Sequence, residues 1–419
     1  MLKKDRAFSA FFILFLISFF IPVFAALKVI SMSLLLLYTC FYPSISPRSA
    51  RIPWNLQAGL MTAFFLWLLF SFLYSDDKAD FTRFLVLRLP LLIFPLTLNM
   101  VRISPALRMR LLVIFSFIVT AGCLITLGYA IYQRLSEGYE HWLFNDSLSF
   151  FVGQQSIYTS LLVNIAIYSL GYILLSRLTP RYNWLIIITL IFLVIFSFML
   201  ASRNLMVVLY LTILITLGYQ TIRLRKWKLA ILSCVAISLG VISVLLFSPK
   251  TLNRFKELGF TSYSFSKQVP ESHYAGTLGP DQWNGANFRL AAWSCGWELV
   301  RENPVLGTGL GDKRNELNRV YQQRDFRFAL ATKKNVHNNY LDIFFSLGII
   351  GLLLFLAGWV ILPAVLFFRH RDFLAIVIHL TLVVALITEV YFDRSLGTIL
   401  FAFFITFLSA GSAPRTINQ

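Results

Sequence analysis

Charge is scarce in this 419-residue chain, and acidic charge most of all. Asp and Glu number 19 and charged residues make up 13%, against 58% apolar residues and a mean hydropathy of +0.73. Soluble domains carry about a quarter charged residues, so a water-soluble globular protein is excluded. Cysteine is equally sparse. Cys40, Cys123, Cys234 and Cys295 lie in apolar contexts without paired spacing, which excludes a disulfide framework or a zinc site and reads them as small core residues. Also missing are an HExxH or paired DxD metal-ligand cluster and the GK[ST] of a phosphate-binding loop. No metal or other cofactor is called for.

Long apolar runs are what the chain has instead. A spanning helix needs about 20 mostly apolar residues, and twelve such stretches fall at 7–26, 28–45, 56–74, 84–101, 107–132, 155–177, 183–200, 203–221, 229–248, 338–366, 373–391 and 396–412. The expected fold is therefore an all-α polytopic membrane protein. It divides into helices 1–9 over residues 1–248, one large loop over 249–336, and helices 10–12 with the C-terminus over 337–419. The first run follows Lys3, Lys4 and Arg6 and ends near Val23-Phe24-Ala25. That pattern also fits a signal peptide, but its length favours an uncleaved anchor.

The net charge of +18 sets the expected orientation, because short cytoplasmic loops collect Lys and Arg. With the N-terminus inside, seventeen basic residues fall on inner segments, from Lys3 through the Arg223–Lys228 group to Arg415. Only Lys28, Lys78, Arg83, Arg134, Arg203 and Arg394 fall on short outer ones. Both termini are expected in the cytoplasm, and nucleic acid is not an expected partner. The long loop then lies outside, where its 13 Lys and Arg against eight acids ask for an anionic partner.

Within that loop, Asn287 is a candidate N-cap, and Phe288, Ala292, Cys295 and Leu299 recur at helical spacing up to Asn303-Pro304. Arg289, Trp293 and Gly296 form a neighbouring stripe. In the ENPVLGTGLGD that follows, Gly307, Gly309 and Gly311 alternate. No strand precedes them, so a tight turn back to the bilayer is a better reading than a phosphate cradle. A second helical pattern, Lys313–Arg327, is rich in cations. At the re-entry, His337 and Asn338 open the tenth span and Asp342 lies one turn deeper. An acid inside a span is a functional candidate by default, with capping or pairing to an Arg as the alternative reading. Arg203, Arg88, Glu389 and Asp393 reach the same outer level. Together these describe a polar pocket suited to transfer from a phosphate leaving group, with Arg binding the phosphate and His moving a proton.

Three stretches, ASRNLMVVLYLTILI, FRLAAWSCGWELVRENPVLGTGLG and VHNNYLDIFFSLGIIGLLL, occur in this order between Ala201 and Leu354. In them the chain resembles the O-antigen ligase and O-antigen polymerase family of integral-membrane glycosyltransferases. The resemblance implies a glycosyltransferase-C-like helical fold and metal-independent, inverting transfer of a glycan from undecaprenyl diphosphate. It places the family's Ser-Arg arginine on Arg203, its loop arginine on Arg289 and its His-Asn histidine on His337. Many members follow Ser-Arg with Gly and a small residue, whereas Asn204 and Leu205 stand here. Arg88, Asn338, Asp342 and Glu389 are second-tier candidates. The implied partners are the lipid bilayer, the lipid-linked donor, and either lipid A-core or a second lipid-linked glycan as acceptor. A lipid-linked sugar transporter is the reading from another class. It predicts internal repeats, and none is evident between the two halves.

Overall fold

The computed structural model describes residues 3–21, 25–41, 56–98, 103–176, 180–224, 238, 256–266 and 282–411. The ninth apolar run at 229–248, with Cys234, the inner cations Arg48, Arg51, Arg225, Lys226 and Lys228, and the loop stretch 267–281 lie outside the described residues.

Every described element is helical, with no strand among the described residues. The helices are α1 (Lys3–Ile17), α2 (Ala25–Phe41), α3 (Leu56–Phe70), α4 (Lys78–Arg88), α5 (Pro90–Leu98), α6 (Pro105–Glu137), α7 (Ser156–Ser176), α8 (Asn183–Leu200) and α9 (Arg203–Leu224). They continue in the loop with α10 (Asn287–Glu302) and α11 (Lys313–Gln323), and return with α12 (Asn339–Phe355), α13 (Leu362–Arg369), α14 (Phe373–Ala385) and α15 (Ser395–Gly411). Among the described residues, six stretches are long and apolar enough to cross a membrane: Leu56–Leu73, Lys78–Leu98, Pro105–Glu137, Ser156–Ser176, Asn183–Leu200 and Asn339–Arg369. The fourth run is thus two helices that meet at Leu89, just ahead of Pro90, because proline supplies no N–H to continue the ladder, although Leu89 itself keeps helical angles, φ −49°, ψ −37°. As the spacing anticipates, α8 and α9 are joined by a tight turn, with Ala201 left-handed at φ 49°.

Two apolar cores hold the molecule. The larger runs through the bundle, with Phe8, Phe12, Phe15, Phe64, Phe94, Phe355 and Phe403 among its fully buried residues. The smaller lies in the loop, where Phe288, Ala292, Cys295 and Leu299 of α10 meet Leu317, Val320 and Tyr321 of α11 around Trp283. The helical stripe read from the sequence is the face that packs here. Leu341, Phe345 and Val390 belong to the same cluster, so the loop core rests on the end of the bundle. The N-cap role falls on Asn284 rather than Asn287. The Asn284 side-chain oxygen accepts from the N–H of Ala286 at 2.7 Å and of Asn287 at 3.0 Å.

The alternating glycines do dock the turn against the bundle, and they do so by entering a broken helix. In α12, Gly348 leaves helical geometry at φ 68°, ψ −172°. The polar groups freed by the break are taken up by the turn: Ile349 N–H donates to Pro304 O at 2.9 Å, Thr308 N–H to Phe345 O at 2.8 Å, and Gly309 N–H to Ser346 O at 2.9 Å. A Cβ on Gly307, itself at φ 76°, would lie 2.6 Å from the backbone nitrogens of Leu347 and Gly348. Irregular backbone in a membrane helix is tolerated where protein covers it, and here the loop is the cover.

Gly348→Ala is therefore expected to destabilise the protein by roughly 1–3 kcal/mol from backbone strain alone, before any clash with Val305. Gly128→Ala, which meets open space in α6, serves as the control. A thermal midpoint of the purified full-length protein that falls equally for both would show that the break does not need glycine.

Candidate active site

The end of the bundle that carries the loop gathers two polar constellations. The first is built by α9, α10 and the 386–394 segment. Arg203 is the first residue of α9 and Arg289 lies in the first turn of α10. Their guanidinium groups converge over Gly285: a side chain there would meet Arg203 Nη2 and come within 3.0 Å of Arg289 Nη1. Arg289 is held from two sides, donating through Nε to Thr388 O at 3.1 Å and through Nη1 to Gly285 O at 2.5 Å. Asn204 donates to the Thr388 hydroxyl, a second tie to the same segment.

One residue beyond Thr388, Glu389 meets His337. Glu389 Oε2 lies 2.9 Å from His337 Nδ1, and the two side chains are 17% and 20% exposed. Burial pushes the Glu389 carboxyl up, but the charge of His337 and its hydrogen bond, with the charge of Arg289 and the Val390 N–H, overcome it and hold the carboxyl at about 2, below its ordinary 4.5. An ionised carboxylate only accepts, so Nδ1 must be the donor. In the neutral imidazole, Nε2 is then the nitrogen that can accept a proton. The ring is braced edge-on by Phe288, with centroids 5.6 Å apart. The His337 backbone, left-handed at φ 47°, is fixed by its N–H donating to Asn335 Oδ1 at 3.0 Å. Asn338 is the N-cap of α12, accepting from Leu341 N–H at 3.0 Å.

The second constellation takes up the remaining candidates. Asp342 and Arg88 do not open into the first group. They form a buried quartet with Lys313 and Asp393. Lys313 Nζ lies 2.8 Å from Asp342 Oδ1 and 2.5 Å from Asp393 Oδ1, while Arg88 Nη2 lies 2.9 Å from Asp342 Oδ2 and 3.6 Å from Asp393 Oδ1. Arg88 is fully buried. Two cations and two carboxylates balance. For Asp342 the geometry thus favours the pairing reading over a direct chemical role. The quartet was only half legible: Lys313 was one cation among many in an apparently exposed loop helix, and no local signal marks it as buried. Asn335 carried no signal either, yet it donates to Asp393 Oδ2 at 3.3 Å while holding His337, and so joins the two constellations. In and just after the second loop helix, Arg319 pairs with Glu302 and Glu316, and Arg324 with Glu298. Among the described residues no group of three or more His, Cys, Asp or Glu is arranged to hold a metal ion.

Residues 188–356 match the family model described as O-antigen ligase. No curated protein matches the chain. Through that segment, which contains Arg203, Arg289 and His337, the chain carries the domain of the O-antigen ligase family, as the resemblance of its three sequence stretches implied. Arg88, Glu389 and Asp393 lie outside the match. That match supports a glycosyltransferase-like role in O-antigen processing, and the long apolar helices are compatible with an integral membrane protein.

Breaking a buried pair from one side leaves an uncompensated charge and costs about 3–5 kcal/mol, whereas an exposed pair contributes about 0–1 kcal/mol. Lys313→Met is thus expected to lower the thermal midpoint far more than Arg83→Gln, whose partner Asp80 it meets on the surface. Equal effects would show that the quartet does not hold the loop. Glu389 gives a pH expectation with a definite sign. Its carboxyl is depressed in the fold, so its contribution to stability is complete above the ordinary carboxylate range, declines as pH falls below 4.5 and is gone below about 2. Any loss of stability between pH 5 and 7 that Glu389→Gln abolishes would contradict this.

Proposed function

We propose that the protein is an O-antigen ligase that transfers an undecaprenyl-diphosphate-linked polysaccharide en bloc to lipid A-core oligosaccharide. The observation that carries this reading is the convergence of two guanidinium groups over Gly285 beside a carboxylate-oriented histidine. A cation in the first turn of a helix works against the helix dipole, so Arg203 at the start of α9 is best explained by an anion that both it and the helix end attract. A diphosphate fits that description, and Arg203 and Arg289 neutralise its charge as it leaves. His337 Nε2 removes the proton from the attacking sugar hydroxyl while Nδ1 donates to Glu389, which fixes the tautomer and stabilises the imidazolium. The new C–O bond forms on the face of the anomeric carbon opposite the departing diphosphate, so configuration inverts. The donor's own diphosphate bond supplies the driving force, and the guanidinium charges take the part that a metal ion would otherwise play.

The orientation that suits this chemistry puts the loop-bearing end in the periplasm and the termini in the cytoplasm of an inner-membrane protein. The distribution of Lys and Arg among the short loops supports it. A polymerase, with the same donor but a lipid-linked repeat as acceptor, would use the same donor residues.

Arg203→Ala, Arg289→Ala and His337→Ala, inserted at normal levels, are each expected to lower transfer of a defined undecaprenyl-diphosphate glycan by about 10²–10³-fold or more. Retained activity in all three would place the site elsewhere. Glu389→Gln should cost on the order of 10³–10⁴ in kcat, the effect of losing an orienting carboxylate, and EDTA should leave transfer intact. Offering lipid A-core and a second lipid-linked repeat in parallel decides between the two acceptors, since a ligase extends only the first. Protection of a Ser262→Cys thiol from an impermeant reagent applied outside would overturn the orientation.

A further inference from the structure

Beyond Arg289, one face of α10 plays no part in the chemistry described above. Arg289, Trp293, Trp297 and Arg301 follow one another at intervals of four residues, so they form a single stripe along the helix. At 1.5 Å per residue this stripe runs about 18 Å away from the arginine pair. Its Trp293, Trp297 and Arg301 form one wall of a groove of about 810 Å³ whose other wall is α12, from Asn338 at its N-cap through Phe344 down to Leu352. That volume lies within the range of roughly 300–1,000 Å³ typical of ligand clefts.

The chemistry of the groove is graded. Asn338 places its beginning beside His337. Two indoles line its middle, and Trp297 remains 47% exposed although it packs edge-on against Phe344 at 5.8 Å. Its far end carries Arg301, which has no ion-pair partner among the described residues, next to the Glu298–Arg324 bridge at 2.7 Å. Toward the bundle, Phe344 and Leu352 continue it along a helix apolar enough to cross a membrane. Indoles offer broad apolar faces together with a polar edge, which matches the alternating C–H faces and hydroxyls of pyranose rings. A guanidinium beyond them suits an anionic group, and the α12 end suits a lipid chain.

We propose that this groove is the subsite for the acceptor, an amphipathic glycolipid whose sugar rings stack on Trp293 and Trp297, whose anionic substituent meets Arg301, and whose lipid follows α12. The acceptor is favoured over the donor because an in-line displacement keeps the leaving diphosphate and the attacking hydroxyl on opposite sides of the anomeric carbon. With the diphosphate at Arg203 and Arg289, the hydroxyl arrives from the side of Asn338, where the groove begins. The inference rests on the reading of Arg203, Arg289 and His337 under Proposed function, and it holds for a ligase and a polymerase alike.

The test uses purified full-length protein in lipid nanodiscs. Trp297→Ala and, separately, Arg301→Gln are expected to raise the KM for the acceptor about tenfold and several-fold, with the KM for the undecaprenyl-diphosphate glycan within about twofold of wild type. Trp297→Phe, which keeps a ring, should fall in between. Binding is measured apart from turnover on the His337→Ala protein, with lipid A-core oligosaccharide and a single lipid-linked repeat as probes. Adding Trp297→Ala should weaken binding of one of them about tenfold. Binding that depends on Trp297 supports the groove even if no transfer is seen, in which case the transferase reading fails and the subsite stands. Unchanged acceptor KM and unchanged binding in both variants, or a rise confined to the donor KM, would overturn the proposal.

Discussion

Four charges shut away from water set the terms for the rest of the molecule. Lys313 comes from the loop, Arg88 and Asp342 from helices of the bundle, and Asp393 from the segment between α14 and α15. The four come from separate elements, and each charge would be costly to bury alone. The quartet exists only when the loop is seated on the bundle in one register. Its net contribution to stability is modest, as for most buried ion pairs, while the penalty for separating its members is large. What it contributes is therefore position. The backbone bonds between the glycine turn and the break in α12 act in the same sense, since the broken helix and the turn each leave polar groups that the other satisfies.

Seating the loop assembles the site. Arg289 and the aromatic brace Phe288 arrive on α10, whose other face is committed to the loop core. Arg203 arrives from the bundle, and the 386–394 segment delivers Thr388 and Glu389 to them while sending Asp393 to the quartet. Asn335 contacts both Asp393 and the His337 backbone. The position of the histidine is thus tied to the same buried charges that hold the loop. This arrangement places Arg203, Arg289 and His337 together on helices and braced segments, with few of them left to the loop's own conformational choice.

Much of this could be read from the chain, and the parts that could not share a cause. Hydropathy and length mark the helices, and the three ordered stretches from Ala201 to Leu354 mark the family and point to Arg203, Arg289 and His337. The apolar face of α10 follows from its spacing of Phe288, Ala292, Cys295 and Leu299. The sequence did not distinguish Asp342 as a scaffold acid from Glu389 as a partner of the histidine, since both are acids near the ends of apolar runs. It did not reveal that Lys313 is buried, that Gly285 is kept small by two guanidinium groups, or that the alternating glycines meet a helix broken at Gly348.

Composition and pattern determined the solvent in which this protein resides, the helical class, the placement of most helices and the chemistry available at one end. Those properties depend on residues close together along the chain, where periods of 3.6 and runs of about 20 residues carry the information. Which cation meets which acid was decided only in three dimensions. Burial and pairing join elements from 29 to more than 250 residues apart, and a charge is structural or otherwise according to the partner that the fold brings to it.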